Sequence, residues 1–188
     1  APKLAETLII PVADAQAFLE AKFAMFPRFE EWKEEVKAEI GRLGYVTTCM
    51  GARRHLREAI LSDNKWDIEK AMRQGPNFRI QGSSAEQTKL AMARVWRSGV
   101  LWKYDVVFFA PIHDELVFSV HRDHALEVIK IFHDAMVEPY GNLPVPFLGS
   151  ISLGPNFGKQ YEAGDWYIEE NIKEILAKIF SGEVAEVV

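Results

Sequence analysis

The sequence has 188 residues, of which 48% are apolar, and a formal net charge of −5. A chain of this length buries one ordinary core and hardly two independent ones, and its acidic balance excludes a surface that is basic throughout, so any contact with nucleic acid must be local. A single cysteine, the lack of a charged-then-apolar leader and the lack of a long apolar run predict a cytoplasmic protein without membrane attachment.

Apolar residues at helical spacing predict two consecutive helices near the start of the chain. The first is expected over residues 13–26, where Pro27 ends it, and the second over residues 29–43. Residues 45–50 are β-branched and aromatic enough for a strand, and the following Gly-Ala pair predicts a hairpin that leads into a basic run with Arg53 and Arg54.

Two further helices are predicted between residues 62 and 97. Residues 62–64, Ser-Asp-Asn, offer N-caps for a helix that runs to about Gln74, where Gly75-Pro76 is expected to end it. Residues 83–86 have the pattern of a capping box, which predicts that a new helix begins there.

The pattern then changes to strand. Residues 104–110 are dense in Val and Phe, residues 116–120 alternate, and His113-Asp114-Glu115 lies between them. A helix capped by Asp123 and a further strand over residues 145–153 are expected next. The sequence therefore predicts an α+β fold with an antiparallel sheet and several packed helices.

The His113-Asp114-Glu115 turn is the sharpest candidate site. Adjacent carboxylates at the tip of a hairpin suit a hard divalent cation, which prefers oxygen ligands and is held in phosphoryl transfer by one or two carboxylates. A solvated hairpin turn is the alternative, since Asp and Glu are common in turns.

Arg73, Asn77 and Gln81 form a second candidate site, because they recur every four residues. A cation and two amides in one row could face a nucleic-acid backbone or groove. The alternative is an ordinary polar helix face.

Several groups of residues, taken in chain order over residues 1–157, resemble the family A DNA polymerases. They are Ile10-Pro11 and Phe26-Pro27, then Gly44-Tyr45-Val46-Thr47-Thr48, Gly51-Ala52-Arg53-Arg54, Ile80-Gln81-Gly82-Ser83-Ser84-Ala85, Lys89-Leu90-Ala91-Met92, the hairpin His113-Asp114-Glu115-Leu116-Val117-Phe118, and Gly154-Pro155-Asn156-Phe157. The resemblance implies a palm-type sheet around the hairpin and a bacteriophage type of enzyme.

The resemblance also implies roles for the candidate residues. Asp114 would bind the two catalytic Mg²⁺ ions, Glu115 would support that site, and His113 would lie near the primer terminus. The row described above, Arg73, Asn77 and Gln81, would contact template and primer, and the basic pair, Arg53 and Arg54, would contact the DNA backbone. Primer-template DNA and deoxynucleoside triphosphates would be the partners.

Two departures from the family pattern are visible. Pro111 stands where the family usually has Gln, so the strand is expected to lie at a sheet edge or to be irregular there. In the family, the first catalytic Asp and the nucleotide-binding helix lie before the segment that the start of this sequence resembles. Neither is present in this sequence. We therefore expect a fragment or split subunit that is inactive without an N-terminal polymerase portion; a non-catalytic DNA-binding or scaffold module is the alternative.

Three segments follow from the resemblance and the pattern: fingers-derived helices and a basic hairpin over residues 1–61, a palm subdomain over 62–162, and a helical tail over 163–188. In the tail, an apolar stripe runs from Ile168 to Ile179 on an otherwise charged helix. The plain interpretation is that the stripe folds back on its own palm, and the alternative is that it docks on the missing polymerase portion. Membrane attachment is disfavoured, because anionic lipid would repel the flanking glutamates.

Overall fold

A computed structural model describes residues 1–141 and 145–181 of the chain. The chain divides into two compact units, residues 1–83 and residues 84–188, and the boundary falls inside one long helix. The described residues form three two-stranded antiparallel sheets and many helices, which confirms the predicted α+β class. The expected three-segment division of the chain stays a prediction. No helix in the described part is long and apolar enough to cross a membrane.

The first unit contains the two predicted helices and the predicted basic hairpin. Its elements are α1 (Pro2–Leu8), α2 (Val12–Met25), α3 (Pro27–Leu43), β1 (Tyr45–Thr47), β2 (Arg53–His55), α4 (Arg57–Ile60) and the first part of α5 (Lys65–Ser98). Helix α3 ends at Gly44, whose φ of 77° lies in the left-handed region that glycine adopts readily. The short helix α1 has no counterpart in the sequence predictions.

The core of the first unit lies between α3, the β1–β2 hairpin and α5. Its buried members are Val36, Ile40, Val46, Leu56 and Ala71. Val46 of β1 therefore packs in the same apolar cluster as residues of α3 and α5.

Helix α5 is continuous, so the predicted break at Gly75-Pro76 and the predicted new helix at residues 83–86 are both wrong. Gly75 and Pro76 are buried, and a Cβ added at Gly75 would stand 2.0 Å from Cδ1 of Ile40. The glycine is therefore needed for close packing and does not act as a stop. The Ser83 hydroxyl accepts a bond from the Cys49 N–H at 2.9 Å instead of capping a helix. The predicted start is confirmed, because Asn64 Oδ1 accepts the Trp66 N–H at 3.0 Å.

The second unit contains the remaining elements. They are the last part of α5, α6 (Val100–Lys103), β3 (Val107–Ile112), β4 (Glu115–Ser119), α7 (Ala125–Val137), β5 (Ile151–Asn156), β6 (Lys159–Gly164) and α8 (Glu169–Phe180). The predicted strand over residues 145–153 is wrong in its start, because strand geometry begins only at Ile151. A 3₁₀ turn precedes α7 and is capped by His121, whose Nδ1 accepts from the Asp123 N–H, so Asp123 is not the cap.

Among the described residues of the second unit, two apolar clusters form the core. In one, Phe118 of β4 stacks on Phe132 of α7 with ring centroids 3.8 Å apart. In the other, α7 and the β5–β6 hairpin cover Ile172 of α8, which is fully buried. The apolar stripe of the tail thus packs on its own unit, whereas Ile168 at its start stays 45% exposed. Residues 182–188, with the flanking Glu183, lie outside the described part.

The contact of Gly75 with Ile40 leads to a stability prediction. Gly75→Ala should leave the chain about 1–3 kcal/mol less stable than Gly41→Ala, because the new methyl group overpacks a buried isoleucine. Gly41 is the matched control: it also lies inside a helix, α3, and a Cβ there meets nothing within 4 Å. The gain in helix propensity is then common to both variants.

Urea denaturation of both variants measures the difference. Equal midpoints would contradict the close approach of α5 to Ile40.

Candidate metal and nucleic-acid site

The β3–β4 hairpin carries the three ionisable residues at its tip. Ile112 pairs with Glu115, so His113 and Asp114 are the two central residues of the turn. The backbone of His113 has a φ of 54°, in the left-handed region. A positive φ at the first central residue is typical of the primed turns that fit the twist of two strands, but glycine or asparagine is the usual residue there.

Strand β3 is irregular close to this tip, as its proline predicts. The pairing register shifts between Phe108 and Ala110, so Phe109 is an extra residue with a 64% exposed side chain. Pro111 lies opposite Leu116 in a sheet of only two strands, where each strand has an unpaired edge that tolerates a missing N–H.

The base of the hairpin is held by the core of the second unit. Leu116 and Phe118 of β4 and Phe108 of β3 all pack against the cluster around Phe132. The hairpin tip is therefore anchored through apolar side chains, whereas its polar residues take no part in that packing.

Both carboxylates of the tip are available to a ligand. Asp114 and Glu115 are exposed, and neither forms an ion pair or a side-chain hydrogen bond within the described residues. Their oxygens are of the type that Mg²⁺ prefers. No group of three or more His, Cys, Asp or Glu side chains with the spacing of a metal site occurs in the described part of the chain. The tip fits a divalent cation in donor type and needs further ligands to complete its coordination.

The predicted polar row lies on α5, in the first unit. Arg73, Asn77 and Gln81 are all exposed, and the Asn77 side-chain amide donates to Gln81 Oε1 at 3.1 Å. Arg73 has no ion pair or hydrogen-bond acceptor among the described residues, and its guanidinium lies 5.4 Å from the centre of the Trp66 ring. Its donors are therefore free to bind an anionic ligand.

The basic pair of β2 is also held by aromatic rings. The Arg53 guanidinium lies 4.8 Å from the Tyr45 ring centre. Arg54 donates to Gln74 Oε1 at 3.2 Å and lies 5.6 Å from the Phe78 ring centre. Sequence reasoning identifies the arginines but misses these partners, because pairs across a hairpin or between a strand and a helix become visible only in the fold.

Arg79 lies on the same helix but has a different environment. Its guanidinium donates to both carboxylate oxygens of Glu39 at 2.8 Å and to the Thr47 carbonyl at 3.1 Å. These hydrogen bonds connect α5 to α3 and β1, so the Arg79 guanidinium stabilises the fold and its donors are already occupied.

The structure brings the predicted residues together in two sets. The first unit holds Arg53, Arg54, Arg73, Asn77 and Gln81, and the second unit holds His113, Asp114 and Glu115. Each set is local to its own unit.

An uncovered apolar surface lies beside the hairpin in the second unit. A cavity of about 220 Å³ is lined by Met92, Val95, Trp96, Leu101, Phe108 and Leu116. Trp96 and Trp102 pack edge to face with centroids 4.5 Å apart, yet remain 62% and 59% exposed. Contiguous exposed apolar side chains of this kind mark interaction surfaces.

Comparison with solved structures identifies the class of the fold. The chain is similar to a solved structure described as the POL domain of Pol1 from M. smegmatis in complex with DNA primer-template and dNTP, with a TM-score of 0.70 and 31% identity. The similarity covers 76% of this chain and 25% of that one. The fold is that of part of a polymerase domain.

Sequence comparison identifies the family. Residues 1–159 match the model of DNA polymerase family A, and the chain therefore belongs to that family. It is 32% identical over 157 residues to the thermostable DNA polymerase I of Thermus aquaticus, covering 84% of this chain, and 30% identical over 161 residues to DNA polymerase I of Streptococcus pneumoniae, covering 85%. The chain spans 18% of the length of each of these bacterial relatives.

The turn geometry predicts an unusual order of stability at the hairpin tip. His113→Gly should be about 2 kcal/mol more stable than His113→Val, because a β-branched residue is strained at a positive φ and glycine is not. At Ser119, an exposed position of β4, the order should reverse, since Val favours strand geometry there.

Thermal unfolding of the four variants checks both orders. If the Val variant were the more stable one at both positions, His113 would not have left-handed backbone geometry.

Proposed function

We propose that this chain supplies the palm hairpin and part of the primer-template contacts of a DNA-directed DNA polymerase. The observation that carries the proposal is the anchored hairpin tip, where two exposed carboxylates have no structural partner in the described part of the chain. A histidine at positive φ, followed by two carboxylates without ion pairs among the described residues, contributes little to the stability of a turn and is more easily explained by ligand binding. The same observation disfavours a pure scaffold role.

Asp114 and Glu115 are the proposed metal-binding residues, with Mg²⁺ as the cation. The ions would neutralise charge on the transferring phosphate and clamp the attacking and leaving oxygens. Two carboxylates on one turn leave such a site short of ligands, in keeping with the lack of a larger cluster among the described residues. The chain by itself is therefore proposed to be inactive in nucleotidyl transfer.

Primer-template DNA and deoxynucleoside triphosphates are the proposed partners. The similar POL domain from M. smegmatis is in complex with DNA primer-template and dNTP. In this chain, the uncommitted guanidinium of Arg73, the amides of Asn77 and Gln81, and the stacked Arg53 and Arg54 are chemically suited to phosphate and sugar. His113 is proposed to lie near the primer terminus.

An N-terminal polymerase portion, on the same polypeptide or as a separate subunit, is the proposed protein partner. The support is the apolar surface of Trp96, Trp102 and the cavity beside the hairpin, which the described residues of the second unit leave uncovered. The bacterial relatives are much longer than this chain, so they contain further polymerase sequence that could cover it. The relatives give no support to a bacteriophage origin.

Reconstitution tests the hairpin assignment. The chain should add no nucleotide to a primed template alone, and should do so with Mg²⁺ when it is combined with a polypeptide carrying the remaining family motifs. Asp114→Asn should lower the extension rate by at least about 100-fold, the size of loss seen when one electrostatic transition-state contact is removed. Because Asp114 is exposed and unpartnered, the melting temperature should not change.

Asp165→Asn is the matched control, since this carboxylate is also exposed but accepts a hydrogen bond from Ser150. It should leave extension unchanged. Near-normal extension by the Asp114→Asn variant would refute the assignment of the hairpin to the active site.

The proposed DNA row has a salt-dependence test. Arg73→Ala should weaken primer-template binding and lower the slope of log K against log salt concentration by about one unit, as expected for the loss of one phosphate contact. Arg42→Ala removes the same charge from an exposed position of α3 and should leave the slope unchanged. Equal slopes for Arg73→Ala and the unmodified chain would make the row an ordinary polar helix face.

A further inference from the structure

We infer that Trp66 is a positioning residue for Arg73 in primer-template binding. The inference rests on the proposed function, since it assigns a residue to the same DNA row. Trp66 lies on the first turn of α5, and its ring supports the arginine that begins the row. The row then extends along α5 from Trp66 to Gln81.

The geometry on α5 places these side chains on one face. Residues 66, 73, 77 and 81 are separated by seven, four and four positions, which is the spacing of one side of a helix. The Arg73 guanidinium lies 5.4 Å from the ring centre of Trp66, within the range of a cation–π contact.

Trp66 belongs to no apolar cluster formed by the described residues. Its side chain is 63% exposed, and it is not among the residues that form or border the core of the first unit, although Trp32 borders that core. A large apolar side chain left at the surface beside an unpaired arginine stabilises the orientation of that arginine and contributes little to folding.

The physical effect of the ring is to restrict a long, flexible side chain before DNA arrives. An arginine that is free in solution loses side-chain entropy when it binds a phosphate, and an arginine already held against a ring loses less. The cation–π contact with the ring uses none of the guanidinium N–H groups as donors to an acceptor atom, so they remain available to an anion. Arg79 shows the contrast, because Glu39 and the Thr47 carbonyl already occupy its donors.

A cation–π contact also occurs at the other two arginines proposed to bind DNA. Arg53 lies over Tyr45 and Arg54 over Phe78. Tyr45 and Phe78 are partly buried, so changing them would also disturb the hairpin or the core. Trp66 is the position where the positioning effect can be tested without loss of packing.

The first experiment measures the affinity of the chain for a primer-template duplex. Trp66→Ala should weaken binding about 2- to 5-fold, the effect of an exposed cation–π contact, and Trp66→Phe should restore most of it. Trp166→Ala removes a similarly exposed tryptophan (55%) without a cation–π partner in the described residues and should have no effect. Equal affinity of the Trp66→Ala variant and the unmodified chain would overturn the inference.

A double-mutant cycle separates positioning from direct contact with DNA. In the presence of Arg73→Ala, the change Trp66→Ala should cause no further loss, because the ring acts only through the arginine. Trp66→Ala alone should leave the salt slope unchanged, since no charge is removed. Additive losses would assign Trp66 a role independent of Arg73 and overturn the inference.

A measurement without DNA distinguishes failure of this inference from failure of the proposed function. The ring current of Trp66 should shift the Arg73 Nε–H proton resonance, and Trp66→Ala should return it to the position of a solvated arginine. An unchanged resonance overturns the inference whatever the chain binds. A shifted resonance with no affinity for DNA would instead refute the proposed function, and with it the role of the pair in DNA binding.

Discussion

The close approach of Gly75 to Ile40 is the constraint on which the rest of the structure depends. Because Gly75 has no side chain, α5 can pack against Ile40 of α3 at this point, and α5 continues through Pro76 although a proline cannot donate a backbone hydrogen bond. A continuous α5 then serves both units: Ala71 joins the core of the first and Val95 the core of the second. The polar row depends on the same continuity, because it spans the Gly-Pro pair.

The hairpin illustrates a different balance, between a stable base and a strained tip. Aromatic stacking of Phe118 on Phe132 fixes the base, so the tip can hold His113 in an unfavourable backbone region and keep Asp114 and Glu115 free of structural contacts. The unfavourable backbone conformation of His113 lies where a ligand is expected to bind, and packing of the surrounding core stabilises it. A substitution of Asp114, which has no structural contact among the described residues, is therefore expected to test the proposed metal site without a loss of stability, whereas His113 is constrained by its backbone geometry.

Sequence reasoning recovers the elements whose pattern is local. Helices α2 and α3, the basic hairpin and the β3–β4 hairpin all follow from periodicity and turn residues, and they lie nearly where the sequence predicts them. It fails at Gly75-Pro76, because a partner 35 positions away decides whether a glycine stops a helix or admits a neighbour. It finds the arginines of the candidate site but not their rings, although the seven-residue spacing of Trp66 and Arg73 is visible in the sequence.

The acidic balance of the chain is compatible with a DNA-binding surface because of where the acids lie. Helix α3 carries much of the negative charge of the first unit, and its glutamates there form ion pairs with Arg28, Lys33 and Lys37. Arg53, Arg54 and Arg73, in contrast, have no acidic partner within the described residues and lie over aromatic rings. Net charge averages these two surfaces, whereas a phosphate within a Debye length of about 10 Å interacts mainly with the unpaired arginines nearest to it. Binding by such a chain should therefore depend on a few cations and be correspondingly sensitive to the loss of any one of them.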